Sequence, residues 1–261
     1  MLIEAVNSPF IAWESAALRS LLDMFPAAYL INLPERKDRL RSAKKELAKV
    51  GWALGPQGVK LYPAQKFKER GTFPNVGCRG TFCSHLACLH DAHQQGEPNV
   101  ILLEDDIVLT SSLPQLTSFI VRQLEETQWD FCYLGHEQTG RVRNANSKTA
   151  DVRLLPYRGH ILQAHFVLIN GRILSRLIRH LERVLTGTEG DQEYGPMPVD
   201  GAYNIFRRNA DVHTLIADPK LGWQRPSRSD ITPSVFDSWG ALRPITSAVR
   251  HLRYVASAWR S

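Results

Sequence analysis

Three consecutive acidic residues, Glu104, Asp105 and Asp106, follow the apolar run of residues 100–103. The run has no polar alternation, which is typical of a β-strand that is buried on both faces. Three adjacent carboxylates at the end of a buried strand repel one another and lose hydration. A cation such as Mg²⁺ or Mn²⁺ would offset both costs, because these ions prefer oxygen ligands. The triplet therefore predicts a metal site at a sheet edge, with a solvated acidic turn as the alternative.

A second candidate region lies at the first strand-to-helix junction. The apolar residues 27–31 predict a strand, and Pro34 and Asp38 suit the first turn of a following helix. Arg36 and Arg39 belong to the same segment, and such junctions are common places for phosphate contacts. The alternative for these two arginines is a surface ion pair with Asp38.

A third candidate region combines two glycines with a histidine. Gly77 and Gly80 precede a segment with helical apolar spacing, and glycines allow a ligand to approach the backbone closely. Ser84 and His85 lie on the first turns of that predicted helix. The alternative for His85 is a buried histidine with a satisfied hydrogen bond.

Composition limits the class of protein. The chain has 261 residues, of which 43% are hydrophobic and 22% are charged, as expected of a soluble globular protein. A net charge of +6 suits a polyanionic partner, but the sequence has no motif that reads nucleic acid, so none is expected. Four cysteines without a Cys-x-x-Cys pair predict reduced thiols in a cytoplasmic protein. The sequence has neither a signal-like start nor an apolar run long enough to span a bilayer.

Apolar runs that alternate with helical segments predict an α/β fold. Residues 136–153 are polar and predict a surface loop of the kind that often covers an active site. Residues 218–230 predict a basic, exposed loop that carries Arg225 and Arg228. The further predicted strands are residues 129–135, 159–169 and 212–217.

The two ends of the chain have helical patterns of their own. Residues 1–26 predict an N-terminal helical extension that serves packing. Residues 236–261 predict a basic, amphipathic C-terminal helix. This helix either docks on its own domain or lies on an anionic membrane surface.

Four segments carry a family resemblance. They are residues 29–39 (Tyr-Leu-Ile-Asn-Leu-Pro-Glu-Arg-Lys-Asp-Arg), 77–86 (Gly-Cys-Arg-Gly-Thr-Phe-Cys-Ser-His-Leu), 103–106 (Leu-Glu-Asp-Asp) and 198–231, with Pro-Val-Asp at its start and Ser-Asp-Ile at its end. In this order they resemble glycosyltransferase family 25, the group of lipopolysaccharide and collagen galactosyltransferases. Two positions depart from the family pattern: Cys78 replaces a Glu, and Thr81 replaces a Cys.

The resemblance implies a GT-A-like fold for residues 27–235, which is a single domain with a Rossmann-like mixed sheet flanked by helices. It also implies an inverting, metal-dependent enzyme that moves a sugar, with galactose expected, from a UDP-sugar to a hydroxyl of a glycan such as lipopolysaccharide or another cell-surface saccharide. Glu104 and Asp106 would hold Mn²⁺ or Mg²⁺. Asp200 is the candidate base that deprotonates the acceptor, with a plain helix N-cap as its alternative.

The same resemblance implies a set of residues that bind the donor: Asn32, Arg36, Arg39, Ser84, His85, Asp105, Arg225 and Arg228. The alternative to an enzyme is a non-catalytic glycosyltransferase-like module that binds nucleotide sugar or glycan. The departures at Cys78 and Thr81 support that alternative.

Overall fold

A computed structural model describes residues 20–138, 152–209 and 211–225. Its helices are α1 (Leu21–Met24), α2 (Lys37–Lys49), α3 (Val76–Gln94), α4 (Leu113–Glu126), α5 (Leu174–Leu185) and α6 (Val199–Arg207). Its strands are β1 (Ala27–Asn32), β2 (Lys60–Pro63), β3 (Asn99–Glu104), β4 (Ile107–Leu109), β5 (Phe131–Gln138), β6 (Arg153–Pro156), β7 (Ile161–Asn170), β8 (Thr214–Asp218) and β9 (Gly222–Gln224).

The strands of the described residues form one mixed sheet with the order β2-β1-β3-β7-β5-β8-β6. Strand β1 runs parallel to β2 and β3, and β8 runs parallel to β5. Strand β7 is antiparallel to both β3 and β5. The short strands β4 and β9 form an antiparallel pair that joins β5 where Gly222 lies beside Gly135. The predicted α/β fold class, a mixed sheet flanked by helices in a single domain, is confirmed.

Both faces of the sheet are covered, which explains the apolar run in β3. Leu102 packs with α3, α5 and α6 on one face, whereas Ile101 and Leu103 pack with α2 and α4 on the other. All residues from 100 to 103 are fully buried. Each side chain of the strand therefore leaves water, and no polar alternation can be tolerated.

The carboxyl ends of β1 and β3 meet at one edge of the sheet, because the two strands are parallel and Ile31 pairs with Glu104. Asn32 is the last residue of β1, and the acidic triplet begins at the last residue of β3. Helix α2 follows β1 directly. The candidate residues of both segments are thus brought to the same place by strand pairing.

Strands β5, β6 and β9 correct the predicted loops. The prediction of a loop over residues 136–153 is wrong at both ends, because β5 continues to Gln138 and β6 begins at Arg153. The prediction of an exposed loop from residue 218 is also wrong, because β9 pairs with β4 and Leu221 is buried. Long-range pairing overrides the polar composition of these segments.

Two helices begin at different residues from those expected. Helix α2 begins at Lys37, so Pro34 lies in the preceding turn. Helix α3 begins at Val76, because the Asn75 side chain accepts a hydrogen bond from the backbone N–H of Cys78 and caps the first turn. The two glycines therefore lie inside the helix. A Cβ at Gly80 would lie 3.0 Å from the carbonyl oxygen of Gln65, so glycine permits close packing here.

Several predictions lie partly or wholly outside the described residues. These are most of the N-terminal extension, residues 139–151 of the predicted loop, Arg228, and the C-terminal helix over 236–261. The four cysteines are free thiols, as predicted. Within the described part of the chain, no helix combines the length and hydropathy that crossing a membrane requires.

Candidate functional site

A cavity of about 680 Å³ opens at the carboxyl ends of β1 and β3, a size typical of small-molecule sites. Its walls come from the β1–α2 junction, the segment after β2, the start of α3, the acidic triplet, β7 and the end of β9. The lining residues with polar side chains are Glu35, Arg36, Arg39, Gln65, Lys66, Thr81, Glu104, Asp105, Asp106, Gln163, Gln224 and Arg225.

The backbone of the triplet is held by the pairing of two short strands. Asp105 and Asp106 form the turn between β3 and β4. Beyond the β4–β9 pair, the backbone N–H of Arg225 donates to the carbonyl oxygen of Asp106 over 2.7 Å. A guanidinium nitrogen of Arg225 also lies 3.6 Å from the buried carboxylate of Glu46. Strand β9 and Arg225, near the end of the described chain, therefore hold this turn in place.

Asp105 is the most tightly held member of the triplet. Its Oδ2 accepts a hydrogen bond of 2.7 Å from Nδ2 of Asn32, and its Oδ1 accepts one of 3.0 Å from Nη1 of Arg39. Burial raises the pKa of the Asp105 carboxyl in spite of the nearby Arg39 guanidinium. Asp105 thus ties the end of β1 to α2.

Glu104 faces a buried histidine. Oε1 of Glu104 lies 3.3 Å from Nε2 of His85, and Oε2 accepts a 3.3 Å hydrogen bond from Nε2 of Gln224. On the far side of the ring, Nδ1 of His85 lies 3.1 Å from the Tyr203 hydroxyl. Burial is the largest single influence and acts to raise the pKa of Glu104, but His85, His165 and the Gln224 hydrogen bond together lower the pKa below its usual value. Glu104 is therefore the carboxylate of the triplet that most readily stays ionised.

Asp106 is the least compensated carboxylate. Its Oδ1 is buried and has no hydrogen-bond partner within the described residues, and its Oδ2 lies 3.7 Å from Nη1 of Arg39. Burial, followed by the neighbouring Glu104 charge, raises the pKa of Asp106 to about 7. An approaching cation would find an unsatisfied oxygen here.

Asp200 lies beside the cavity rather than in its wall. Its Oδ1 accepts from the backbone N–H of Gly201 over 2.9 Å, and its Oδ2 accepts from the backbone N–H of Gln163 over 3.1 Å. Gln163 does line the cavity. The carboxylate of Asp200 is therefore one residue removed from the space where a ligand would bind.

The remaining predicted residues fall into two groups. Arg36, which pairs with Asp38 over 3.0 Å, lines the cavity together with Arg39 and Arg225. Ser84 and His85 are fully buried and do not line it. The Ser84 hydroxyl donates to the carbonyl oxygen of Gly80, so it serves the helix.

Sequence reasoning missed two residues of this site. Glu46 is almost fully buried, and its Oε2 accepts a 3.1 Å hydrogen bond from the backbone N–H of Leu109. Its position on the apolar side of α2, one residue before Leu47, was an available signal. Gln163 gives a weaker signal, since it is one of three polar residues in β7, with His165 and Asn170.

Comparisons with known proteins give distant structural likeness alone. No protein-family model matches the chain, and the search of curated proteins finds no match. One similar solved structure is a glycosyltransferase involved in the glycosylation of the major capsid of PBCV-1; it is 10% identical, with a TM-score of 0.49, over 77% of this chain and 93% of that one. Another is a candidate glucose-1-phosphate thymidylyltransferase from Bacillus anthracis in complex with a sucrose, 9% identical with a TM-score of 0.36 over 72% and 66% of the two chains. Neither likeness assigns a function.

Proposed function

We propose that this chain is a metal-dependent, inverting glycosyltransferase that uses a nucleotide-sugar donor. UDP-galactose is the proposed donor, and a hydroxyl of a glycan, such as lipopolysaccharide or another cell-surface saccharide, is the proposed acceptor. The observation that carries the proposal is the convergence of Glu104, Asp105 and Asp106 with Arg39 on one wall of a cavity large enough for a nucleotide sugar.

Mn²⁺ or Mg²⁺ is the proposed cofactor. The described residues include no group of three or more His, Cys, Asp or Glu side chains arranged to enclose a metal ion. These cations are commonly held by one or two carboxylates, with substrate phosphates completing the coordination. The unsatisfied Oδ1 of Asp106 fits that pattern, with Glu104 as the second ligand. A bound cation would stabilise the negative charge that develops on the leaving diphosphate.

The basic residues of the cavity provide the rest of the diphosphate site. Arg39 and Arg225 are both in contact with carboxylates, so their guanidinium groups are already oriented. Arg36 and Lys66 add positive charge to the same wall. An anionic diphosphate beside the acidic triplet would thus be neutralised both by the bound metal ion and by these basic side chains. A contribution from Arg228 stays a prediction.

Asp200 is the proposed base for the acceptor hydroxyl. Asn32, through its hydrogen bond to Asp105, and His85, through its contact with Glu104, would position the donor site rather than contact the donor. Cytoplasmic location and contact of the C-terminal segment with an anionic membrane complete the proposal.

The deciding experiment measures binding of UDP-galactose by calorimetry with and without Mn²⁺. We expect binding that requires Mn²⁺ in the unchanged protein and is lost in Asp106→Ala. Asp211→Ala is the matched control, since Asp211 is a surface residue paired with Arg176. Undiminished binding by Asp106→Ala would refute the assignment, and a parallel panel of nucleotide sugars identifies the base and sugar preferred.

A non-catalytic module is the second candidate, and one observation favours it. Cys78, which stands where the family pattern has Glu, is buried, and burial raises the pKa of its thiol. That position therefore carries a neutral group. Hydrolysis of UDP-galactose without acceptor separates the two candidates: slow release of galactose in the presence of Mn²⁺ supports the enzyme, and binding with no release supports the module.

A further inference from the structure

We propose that Gln163 binds hydroxyl groups of the transferred sugar and so determines donor-sugar preference. This inference rests on the proposed function, but it concerns the sugar and not the nucleotide. Gln163 lies in β7, in the cavity wall, and takes no part in the network of the acidic triplet.

The first observation is a distortion of the sheet at this residue. In the pairing of β7 with β5, Leu162 pairs with Glu137 and Phe166 pairs with Gly135, so residues 163–165 stand opposite the single residue His136. Such bulges redirect side chains and are frequent beside active sites. The bulge explains why Gln163 lines an open cavity although it lies within a central strand.

The second observation is the backbone conformation. Gln163 has a φ of +71°, and it is the one residue other than glycine with positive φ in the described chain. Glutamine is not favoured in this region, whereas glycine occupies it without penalty. Strain of this kind persists where surrounding contacts enforce it, and it is commonest at functional sites. The backbone conformation alone would favour glycine at position 163. We therefore infer that the glutamine side chain has a role of its own.

The third observation is the contact that holds this conformation. The backbone N–H of Gln163 donates to Oδ2 of Asp200, at the start of α6. The neighbouring Ile161 is fixed to the same helix, because its backbone N–H and carbonyl oxygen both bond the side chain of Asn204. Helix α6 therefore clamps the bulged segment at two points and presents Gln163 to the cavity.

The chemistry of the side chain matches a sugar. A carboxamide both donates and accepts hydrogen bonds, as a sugar hydroxyl does, and it has no charge with which to compete for phosphate. The amide of Gln224, in the same wall, already donates to Glu104. The Gln163 amide, by contrast, makes no hydrogen bond to the described residues. It is therefore available to a ligand that lies beyond the diphosphate.

The test compares UDP-galactose with UDP, because UDP keeps the nucleoside diphosphate and lacks the sugar. In the presence of Mn²⁺ we expect Gln163→Ala to weaken UDP-galactose binding by about tenfold and to leave UDP binding unchanged within about twofold. Gln163→Gly should show the same selective loss although its melting temperature is not lowered, since glycine relieves the strained φ. Gln94→Ala, at the exposed end of α3, is the matched control that changes neither ligand.

Three results would overturn the inference. If Gln163→Gly binds UDP-galactose as tightly as the unchanged protein, the residue serves the backbone alone. If Gln163→Ala weakens both ligands equally, it acts on the nucleotide or on folding. If the unchanged protein binds neither ligand, the proposed function fails and this inference fails with it; that result is distinct from the other two, which require normal UDP binding by the unchanged protein.

Discussion

Replacement of Arg39 by methionine should destabilise the protein strongly at pH 8. The Arg39 guanidinium lies 3.0 Å from Oδ1 of Asp105 and 3.7 Å from Oδ2 of Asp106. The three side chains are only 14%, 9% and 14% exposed, in that order, so water screens them poorly. Methionine keeps the aliphatic stem and removes the charge, which leaves two buried carboxylates without their cation.

The size of the effect follows from these distances. At 3.0 Å and an effective dielectric constant of about 20, the attraction between Arg39 and Asp105 is about 5.5 kcal/mol. Removal of one partner from buried pairs typically costs about 3–5 kcal/mol. We expect a loss of this size in the free energy of unfolding, measured with urea at pH 8 in EDTA.

The pH dependence of this loss provides the refutation. Burial raises the pKa of both Asp105 and Asp106, so their protonation relieves the unpaired charge as pH falls. The cost of Arg39→Met should therefore shrink between pH 8 and pH 5. The matched control is Arg176→Met, whose partner Asp211 is 61% exposed, and it should cost about 1 kcal/mol or less. A loss for Arg39→Met that equals the control, or that does not change with pH, would show that the buried pair contributes nothing special.

Three further predictions concern the scaffold of the site. Burial lowers the pKa of His165 from 6.5 to about 4, so between these pH values the unfolded chain binds a proton that the folded protein does not. The free energy of unfolding should therefore fall by about 3 kcal/mol as pH drops through that interval. His165→Gln should flatten this decline in a series of urea titrations. Asp130 is fully buried and accepts hydrogen bonds of 2.7 and 2.9 Å from Arg172; Asp130→Ala should cost about 3 kcal/mol in chemical denaturation and Asp130→Asn clearly less, because Asn keeps one oxygen that accepts a hydrogen bond, and equal losses would show that this acceptor contributes nothing without the charge. Leu102 is fully buried, so Leu102→Ala should cost about 3–5 kcal/mol by thermal unfolding, whereas Leu61→Ala at a 43% exposed position should change little.

The sequence predicted well the two strands whose carboxyl ends carry the candidate site. The unbroken apolar run of β3 and the acidic residues after it are local features, and burial on both faces leaves this pattern whatever the rest of the chain does. The β1–α2 junction could be predicted for the same reason. Only the family resemblance grouped Asn32, Arg39 and Asp105 in advance. The parallel pairing of β1 with β3, which the amino-acid pattern did not predict, brings them to one edge of the sheet.

The short strands could not be predicted in this way. Strands β4 and β9 have three residues each and are separated by more than 110 positions in the chain. Their pairing depends on contacts that form only after the sheet assembles, and three residues carry no usable periodicity. The polar composition of the segment from residue 218 therefore pointed to a loop, although its pairing with β4 holds Arg225 against the acidic turn.

What the sequence determined by itself is the chemistry available: carboxylates after a buried strand, arginines after the first strand, and enough apolar residues to cover a sheet on both faces. What only the tertiary structure decided is the direction in which each group points. Local sequence does not distinguish a histidine that faces a ligand from one that faces the core. Packing directs His85 inward against Glu104. The same packing clamped a bulge of β7 on α6 and placed Gln163 in the cavity, because side-chain direction depends on neighbours that are distant in the chain.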